Sequence, residues 1–291
     1  MKPVILAAGS CIVENLMIGV RDLSVGSEYF EFVMSLGAAT GGRLPLSASV
    51  LSRCRLLIEE ASPWVRMLSE DERSQLPGDC KQILVPTIHF NSLWPLMAID
   101  PRNAAEPNFP FGRIPFDRGD RLALDIMRRE TDPAKRVATY FGTDLSSVVD
   151  IGRHHALELE NMFALERNCD VRMAAYIATN FRETRLFHTH HHPGPEVMTF
   201  ALMQLLAHPA ILECTSKPLA TALAGLPAWA EVVRANFEIE TAPIHPTVAE
   251  FFDLAWYRDD MTFRSRDREF TFKEWIEFYF AYEPAAGPRK T

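Results

Sequence analysis

Five consecutive apolar residues, Val4 to Ala8, are closed by Gly9 and followed by apolar positions at Ile12, Val13, Leu16, Met17 and Val20. The first run lacks the polar alternation of a half-exposed strand, so it predicts a short strand buried on both faces of a parallel sheet. The second repeats every three to four residues, which is the face of an amphipathic helix. Further strand candidates follow at residues 30–36, at 54–58 in "RCRLLIEEA" and at 83–88 in "QILVPTIHF", separated by polar, helix-compatible pieces such as "SEDERSQL". Strands that alternate with helices predict an α/β layer in the N-terminal third, with right-handed crossovers and ligand sites at the carboxyl ends of the strands. Gly9 to Cys11 and His89 fall at such ends.

From Asn91 to about Gly119 the chain is dense in Pro, Gly, Asn and aromatic residues, which predicts a packed loop. Beyond it the periodicity turns helical, over 121–129, 133–141, 151–167 and 170–181, with Asp170 as an N-cap. "TRLFHTHHHPGPEV" interrupts this run as a strand near residues 185–191, and another helix begins near Pro195. "TVAE" at Thr247 and "TFKE" at Thr271 are capping-box patterns. The second leads a stripe of Phe272, Trp275, Ile276, Tyr279 and Phe280 at helical spacing, which predicts core packing. The expectation is one domain over 1–291: an α/β core (1–90), an aromatic and Pro-rich loop (91–120) and a mainly helical part (121–283), followed by a loose tail.

Charge and cysteine usage narrow the setting. A formal net charge of −8 works against nonspecific attraction to nucleic acid or an anionic membrane surface. Five cysteines with no CxxC pair suit a reducing cytoplasm better than a disulfide framework or a zinc site. "AAGSC" superficially matches a lipoprotein cleavage site, but its apolar run of five residues falls short of the about 7 to 15 that a signal peptide needs. No run approaches the roughly 18 to 20 residues that span a bilayer. A cytoplasmic protein without a transmembrane segment is expected, with homo-oligomers allowed.

The candidate chemistry starts at the first turn. A strand, a tight turn of small residues and a helix place Cys11 near a helix N-terminus, where unpaired amides and the helix dipole favour a thiolate or hold an oxyanion. The plain alternative is a buried core thiol. In "FHTHHHPG", His188, His190 and His192 share one face if the segment is extended, while His191 points away. Zinc-ligand spacing is absent there, so no metal is expected. A single catalytic base among bystanders remains, and His192 is favoured because Pro193 and Gly194 fix it at a helix junction. His89 and His190 are further candidates, and solvated or hydrogen-bonded histidines are the plain alternative. Asn91 and Asn180 are candidate oxyanion donors, although Asn180 also suits a helix end. For anions, a strip of Arg113, Arg118, Arg121, Arg128, Arg129, Lys135 and Arg136 is interleaved with acidic residues and is expected to be largely salt-bridged. Arg113, Arg121 and Arg43 in "TGGRLP" are the candidate phosphate contacts, with Gly9 and Ser10 at the turn. Neither a Walker sequence nor GxGxxG occurs.

"GSC" opening a helix after the first strand, "VPTIHFNSLWP", "DVRMAAYIATNFRETRLFHTHHHP" and "PIHPTVAEFFDLAW" together resemble the WcbI family of capsular polysaccharide biosynthesis enzymes, in order and spacing over most of the chain. The resemblance implies a Rossmann-like or SGNH-like α/β core with much added helix, and a coenzyme A-binding acyltransferase that O-acetylates a sugar of a surface polysaccharide. It also implies that Cys11 and His192 stand at the active site. Family members usually carry Asn-Cys-Gln at the turn, where this chain has Ser10-Cys11-Ile12. The turn also resembles the Gly-Asp-Ser turn of SGNH esterases with cysteine in the serine position, but their late Asp-x-x-His is missing: Thr189 stands three before His192. The expected chemistry is attack of Cys11 on the acetyl thioester with a histidine base, then transfer to a sugar hydroxyl. Direct transfer, an esterase or thioesterase, and a non-catalytic binding subunit of a polysaccharide assembly complex are the alternatives.

Overall fold

The computed structural model describes residues 1–36, 45–62, 67–102, 119–215, 217–238, 240–265 and 268–283. Its contacts divide the chain into two compact units, one of residues 1–89, 159–180 and 192–237, the other of 90–158, 181–191 and 238–291.

The first unit is built on a four-stranded sheet of β1 (Val4–Gly9), β2 (Glu31–Leu36), β3 (Cys54–Ala61) and β4 (Lys81–Pro86) in the order β2-β1-β3-β4, parallel throughout. All six residues of β1 are buried, as its unbroken apolar run predicts for an inner strand. One face of the sheet packs Leu6, Leu57, Leu51 and Leu68, each no more than 1% exposed. Full burial of such side chains contributes about 1.5–3 kcal/mol apiece. Helix α1 (Cys11–Val20) packs against the helix Pro195–Leu206. That contact depends on Gly19, because a Cβ there would come within 2.5 Å of Leu202 and 3.0 Å of Trp229.

Two strands run differently from their apolar signal. β3 continues past Ile58 through Glu59 and Glu60, which are 5% and 6% exposed. β4 begins at polar Lys81, paired in register with Leu56. Backbone pairing, and not side-chain apolarity, sets these ends. The buried Glu59 is held by Arg73 and by the side-chain amide of Gln82, each donating at 2.6 Å. The helix expected over 170–181 starts later, at Ala174, and ends at Asn180. Asp170 is not its cap: its carboxylate accepts the Leu84 amide at 2.7 Å, while Glu166 reaches forward to accept the amides of Met173 and Ala174 at 2.6 and 2.9 Å.

The second unit carries two short antiparallel pairs, Met97–Ala98 with Gly119–Asp120 and Phe263–Ser265 with Arg268–Phe270. Its helices include Arg121–Arg129, Pro133–Gly142, Pro246–Phe252 and Phe272–Ala281. The stripe at Phe272, Trp275, Ile276, Tyr279 and Phe280 is buried as expected, and Thr271 with Glu274 forms the expected capping box. The box expected at Thr247 does not form. The helix begins two residues earlier, at Pro246, and the His245 ring caps it by accepting the Thr247 amide at 3.1 Å. Gly119 is a required glycine, since a Cβ would meet the Tyr279 hydroxyl at 2.5 Å. That hydroxyl donates to Asp100, which also holds Arg102.

Candidate active site at the first turn

The β2-β1-β3-β4 order places a topological switch point between β1 and β3, where neighbouring connections leave in opposite directions and a crevice opens at the carboxyl ends. The residues that flank it are Gly9, Ser10 and Cys11 after β1, and Glu60 near the end of β3. Gly9 is there because of Glu60: a Cβ at position 9 would lie 2.9 Å from both the Cβ and Oε2 of Glu60. That close approach lets the Ser10 amide donate to Glu60 Oε2 at 2.6 Å. Ser10 is the N-cap of α1, its hydroxyl accepting the Ile12 amide at 3.3 Å. Cys11 is thereby the first residue of the helix, and it is exposed.

The charge environment differs from the one the turn alone predicts. The Cys11 and Ile12 amides do favour the thiolate, but protein fills most of the space around the sulfur even though the residue reaches solvent. That burial pushes the thiol up to about 11, and the carboxylates of Glu60 and Glu14 add to the rise. The expected thiolate is outweighed, and at neutral pH Cys11 is a thiol that needs a base to react.

The histidine segment is not one extended strand. Strand Phe187–Thr189 ends before a turn at His190 and His191, and a second short strand starts at His192. The turn removes the common face expected for His188, His190 and His192. His188 is 5% exposed, and its carbonyl accepts the Ala242 amide at 2.7 Å. The rings of His190 and His191 contact each other at 4.2 Å. His192 is half-buried against Phe237 at 5.6 Å, three residues before the helix that packs on α1. His89 lies three residues beyond β4 and is half-buried.

Both candidate amide donors are engaged. The backbone and side-chain amides of Asn91 donate to Glu158 at 2.9 and 3.3 Å, and Asn180 donates to the Tyr176 carbonyl at 2.7 Å. Arg121 is exposed and donates to the Val148 carbonyl at 3.2 Å, and Arg128 pairs with Asp125. Arg43, Arg113 and Arg118 lie outside the described residues. Among the described residues no three His, Cys, Asp or Glu side chains are grouped to hold a metal, and no helix is long and apolar enough to cross a membrane.

Two features escaped the sequence reading. Glu60 is one; its signal was a pair of glutamates ending an apolar run, a place where burial is costly without a partner. The other is a cavity of about 80 Å³ in the second unit, lined by Trp94, Phe272, Trp275, Tyr140, Asp120 and His245 among others. Burial pushes Asp120 up to about 6, against hydrogen bonds from the Ala123 amide and the Tyr140 hydroxyl. Burial brings His245 down to about 4. It is therefore neutral, and because Nδ1 accepts from Thr247 its proton resides on Nε2. No single motif marks this cavity, because its walls come from six separate stretches of chain.

Comparison with known proteins bears on the turn. No curated protein matches the sequence. A solved structure of WcbI, a polysaccharide biosynthesis enzyme, described as the native protein without a disulfide bond between coenzyme A and one of its cysteines, shares the fold with a TM-score of 0.64. That likeness covers 97% of this chain and 89% of that chain at 14% identity. The family model for the polysaccharide biosynthesis enzyme WcbI matches residues 5–211, a span that includes the β1 turn, the sheet and the histidine segment. The chain belongs to the WcbI family of polysaccharide biosynthesis enzymes.

Proposed function

We propose that this chain is a coenzyme A-dependent acyltransferase that moves an acetyl group to a sugar hydroxyl of a surface polysaccharide, with Cys11 at the reacting centre. The observation that carries this reading is an exposed cysteine at the first position of α1, on the switch point of a parallel sheet, in a chain of a polysaccharide biosynthesis family. The naming of coenzyme A with a cysteine in the WcbI structure supports it.

A thiol pushed up to about 11 gives up its proton only as a base takes it. His192 is the assigned base, with His190 and His89 as the other candidates. The Cys11 sulfur then attacks the thioester carbonyl, the coenzyme A sulfur leaves and takes up a proton, and acetyl-Cys11 results. One thioester replaces another, so the step is nearly balanced. A sugar hydroxyl next attacks the acetyl carbonyl while the base takes its proton, and Cys11 leaves as the thiol. The Cys11 and Ile12 amides, which favour charge on the Cys11 sulfur, are the candidate donors to a developing oxyanion. Arg121, with Arg43 and Arg113, supplies the candidate cations for the phosphates of coenzyme A.

The test uses the full chain with coenzyme A and acetyl-coenzyme A. Coenzyme A at ~100 times its dissociation constant should stabilise the fold by about 2.7 kcal/mol; no shift at millimolar ligand rejects the proposal. Radiolabelled acetyl-coenzyme A without acceptor should label the protein, and Cys11→Ala should abolish the label while keeping the coenzyme A shift. Labelling that survives Cys11→Ala rejects the covalent route, and release of free acetate as the sole product makes the protein a hydrolase.

A further inference from the structure

The amino end of the sheet carries a second thiol site. Cys54 opens β3 and is fully buried; Cys80 immediately precedes β4 and is half-buried. The turn before β4 brings the two sulfurs to 3.6 Å although the residues are 26 apart in sequence. We propose that Cys54 and Cys80 are a peroxide-sensitive thiol pair that closes to a reversible disulfide, with Cys80 as the attacking sulfur and Cys54 as the resolving one.

Position assigns the two roles. Cys80 is reached from solvent, whereas Cys54 is 0% exposed. Cys80 is also the sulfur that ionises first. The hydrogen bond it shares with Cys54 lowers its pKa, and the Arg55 guanidinium adds to this against burial and Asp79. The same bond and burial drive Cys54 up, holding its proton in place. Closing the bond takes the sulfurs from 3.6 Å to about 2.05 Å, a displacement within reach of a side-chain rotation. Cys80 can give way, because it follows a turn in which Gly78 has no atom within 4 Å of where a Cβ would stand. Cys54, fixed in the ladder beside Val4, cannot.

The chemistry balances with a hydroperoxide as oxidant. The Cys80 thiolate attacks the peroxide O–O bond, becoming a sulfenic acid and releasing hydroxide, which takes up a proton as water. Cys54 then attacks that sulfur; its proton and the sulfenic hydroxyl leave as a second water, and the disulfide is formed. Two thiols are oxidised by two electrons, and one hydrogen peroxide is reduced to two waters. The site is independent of acyl transfer, so neither reading depends on the other.

The test treats the folded full chain with stoichiometric hydrogen peroxide, blocks the remaining thiols with N-ethylmaleimide, and maps the peptides by mass spectrometry. Free thiols should fall by two from five, with a dithiothreitol-reversible cross-link between Cys54 and Cys80 while Cys11 stays alkylable. Cys54→Ala should leave Cys80 as a sulfenic acid that dimedone traps, and Cys80→Ser should leave Cys54 reduced. Should the buried Cys54→Ala variant fail to fold, the wild-type map and Cys80→Ser still decide. A cross-link between any other pair, or Cys11 oxidised while Cys54 and Cys80 remain reduced, overturns the proposal.

Discussion

The two ends of the parallel sheet hold thiols in opposite states. At the carboxyl end Cys11 has the backbone setting associated with reactive cysteines, the first turn of a helix, and yet its thiol is pushed up to about 11. At the amino end Cys80 has no helix behind it, and its thiol is lowered. What separates them is their neighbours: Cys11 faces two carboxylates in a largely desolvated place, whereas Cys80 shares a hydrogen bond with Cys54 and sits near a guanidinium. Helix amides are worth about 0.3–1 kcal/mol at such a terminus, against 1.36 kcal/mol per unit of pKa. Burial and charge therefore decide, and the helix start does not.

The sharpest way to break this comparison is to let the two thiols compete for one reagent. At pH 8 a thiol of pKa about 11 is about one part in a thousand thiolate, and one below the ordinary value of 9.0 is at least about one part in ten. The stronger intrinsic nucleophilicity of the more basic sulfur returns about one order of magnitude. Cys80 should thus be alkylated by iodoacetamide about tenfold faster than Cys11, although Cys11 is the more exposed residue. Equal rates, or Cys11 ahead, would show that access and not ionisation governs these thiols. The Cys11 rate should also climb about tenfold per pH unit toward 11, while that of Cys80 levels off below 9.

A smaller effect isolates the charge of Glu60. In Glu60→Gln the amide oxygen still accepts from the Ser10 amide, so the turn keeps its shape while the Cys11 thiol loses a negative neighbour. Each unit of fall in pKa multiplies the thiolate about tenfold and costs about threefold in nucleophilicity, so Cys11 alkylation at pH 8 should rise, by about threefold for each unit the thiol falls. Glu14→Gln should do less, since Glu14 contributes less to the shift. An unchanged rate in Glu60→Gln would leave the shift to burial and Glu14.

The sheet was legible because its signal is local: unbroken apolar runs punctuated by Gly and polar residues gave four strands and their parallel class. The first turn was legible for the same reason, since Gly9, Ser10 and Cys11 are adjacent. What was hidden depends on which groups meet across the sequence. Glu60 lies fifty residues from Ser10, and its carboxylate adds to the burial that reverses the ionisation expected at Cys11. The cap of the helix that starts at Ala174 comes from Glu166 because Asp170 is drawn to Leu84, a competition no local pattern reveals. The histidine run failed differently: alternation predicted a common face, and the turn at His190 and His191 broke it.

The smallest effect tests whether the turn's cap and the thiol's ionisation are separable. Ser10 caps α1 through one long bond, hydroxyl to the Ile12 amide at 3.3 Å. Thr271 caps its helix reciprocally, accepting from Glu274 at 3.3 Å while its own amide donates to Glu274 at 2.8 Å. Cap removal costs about 0.5–2 kcal/mol, so Ser10→Ala should fall at the lower end, about 0.5 kcal/mol by urea unfolding, and Thr271→Ala should cost about 1 kcal/mol. Because Ser10 binds Glu60 through its backbone amide, Ser10→Ala keeps that carboxylate in place. Its Cys11 alkylation rate should match the wild type; an accelerated rate would mean that the hydroxyl, and not the amide, holds the Glu60 charge against the thiol.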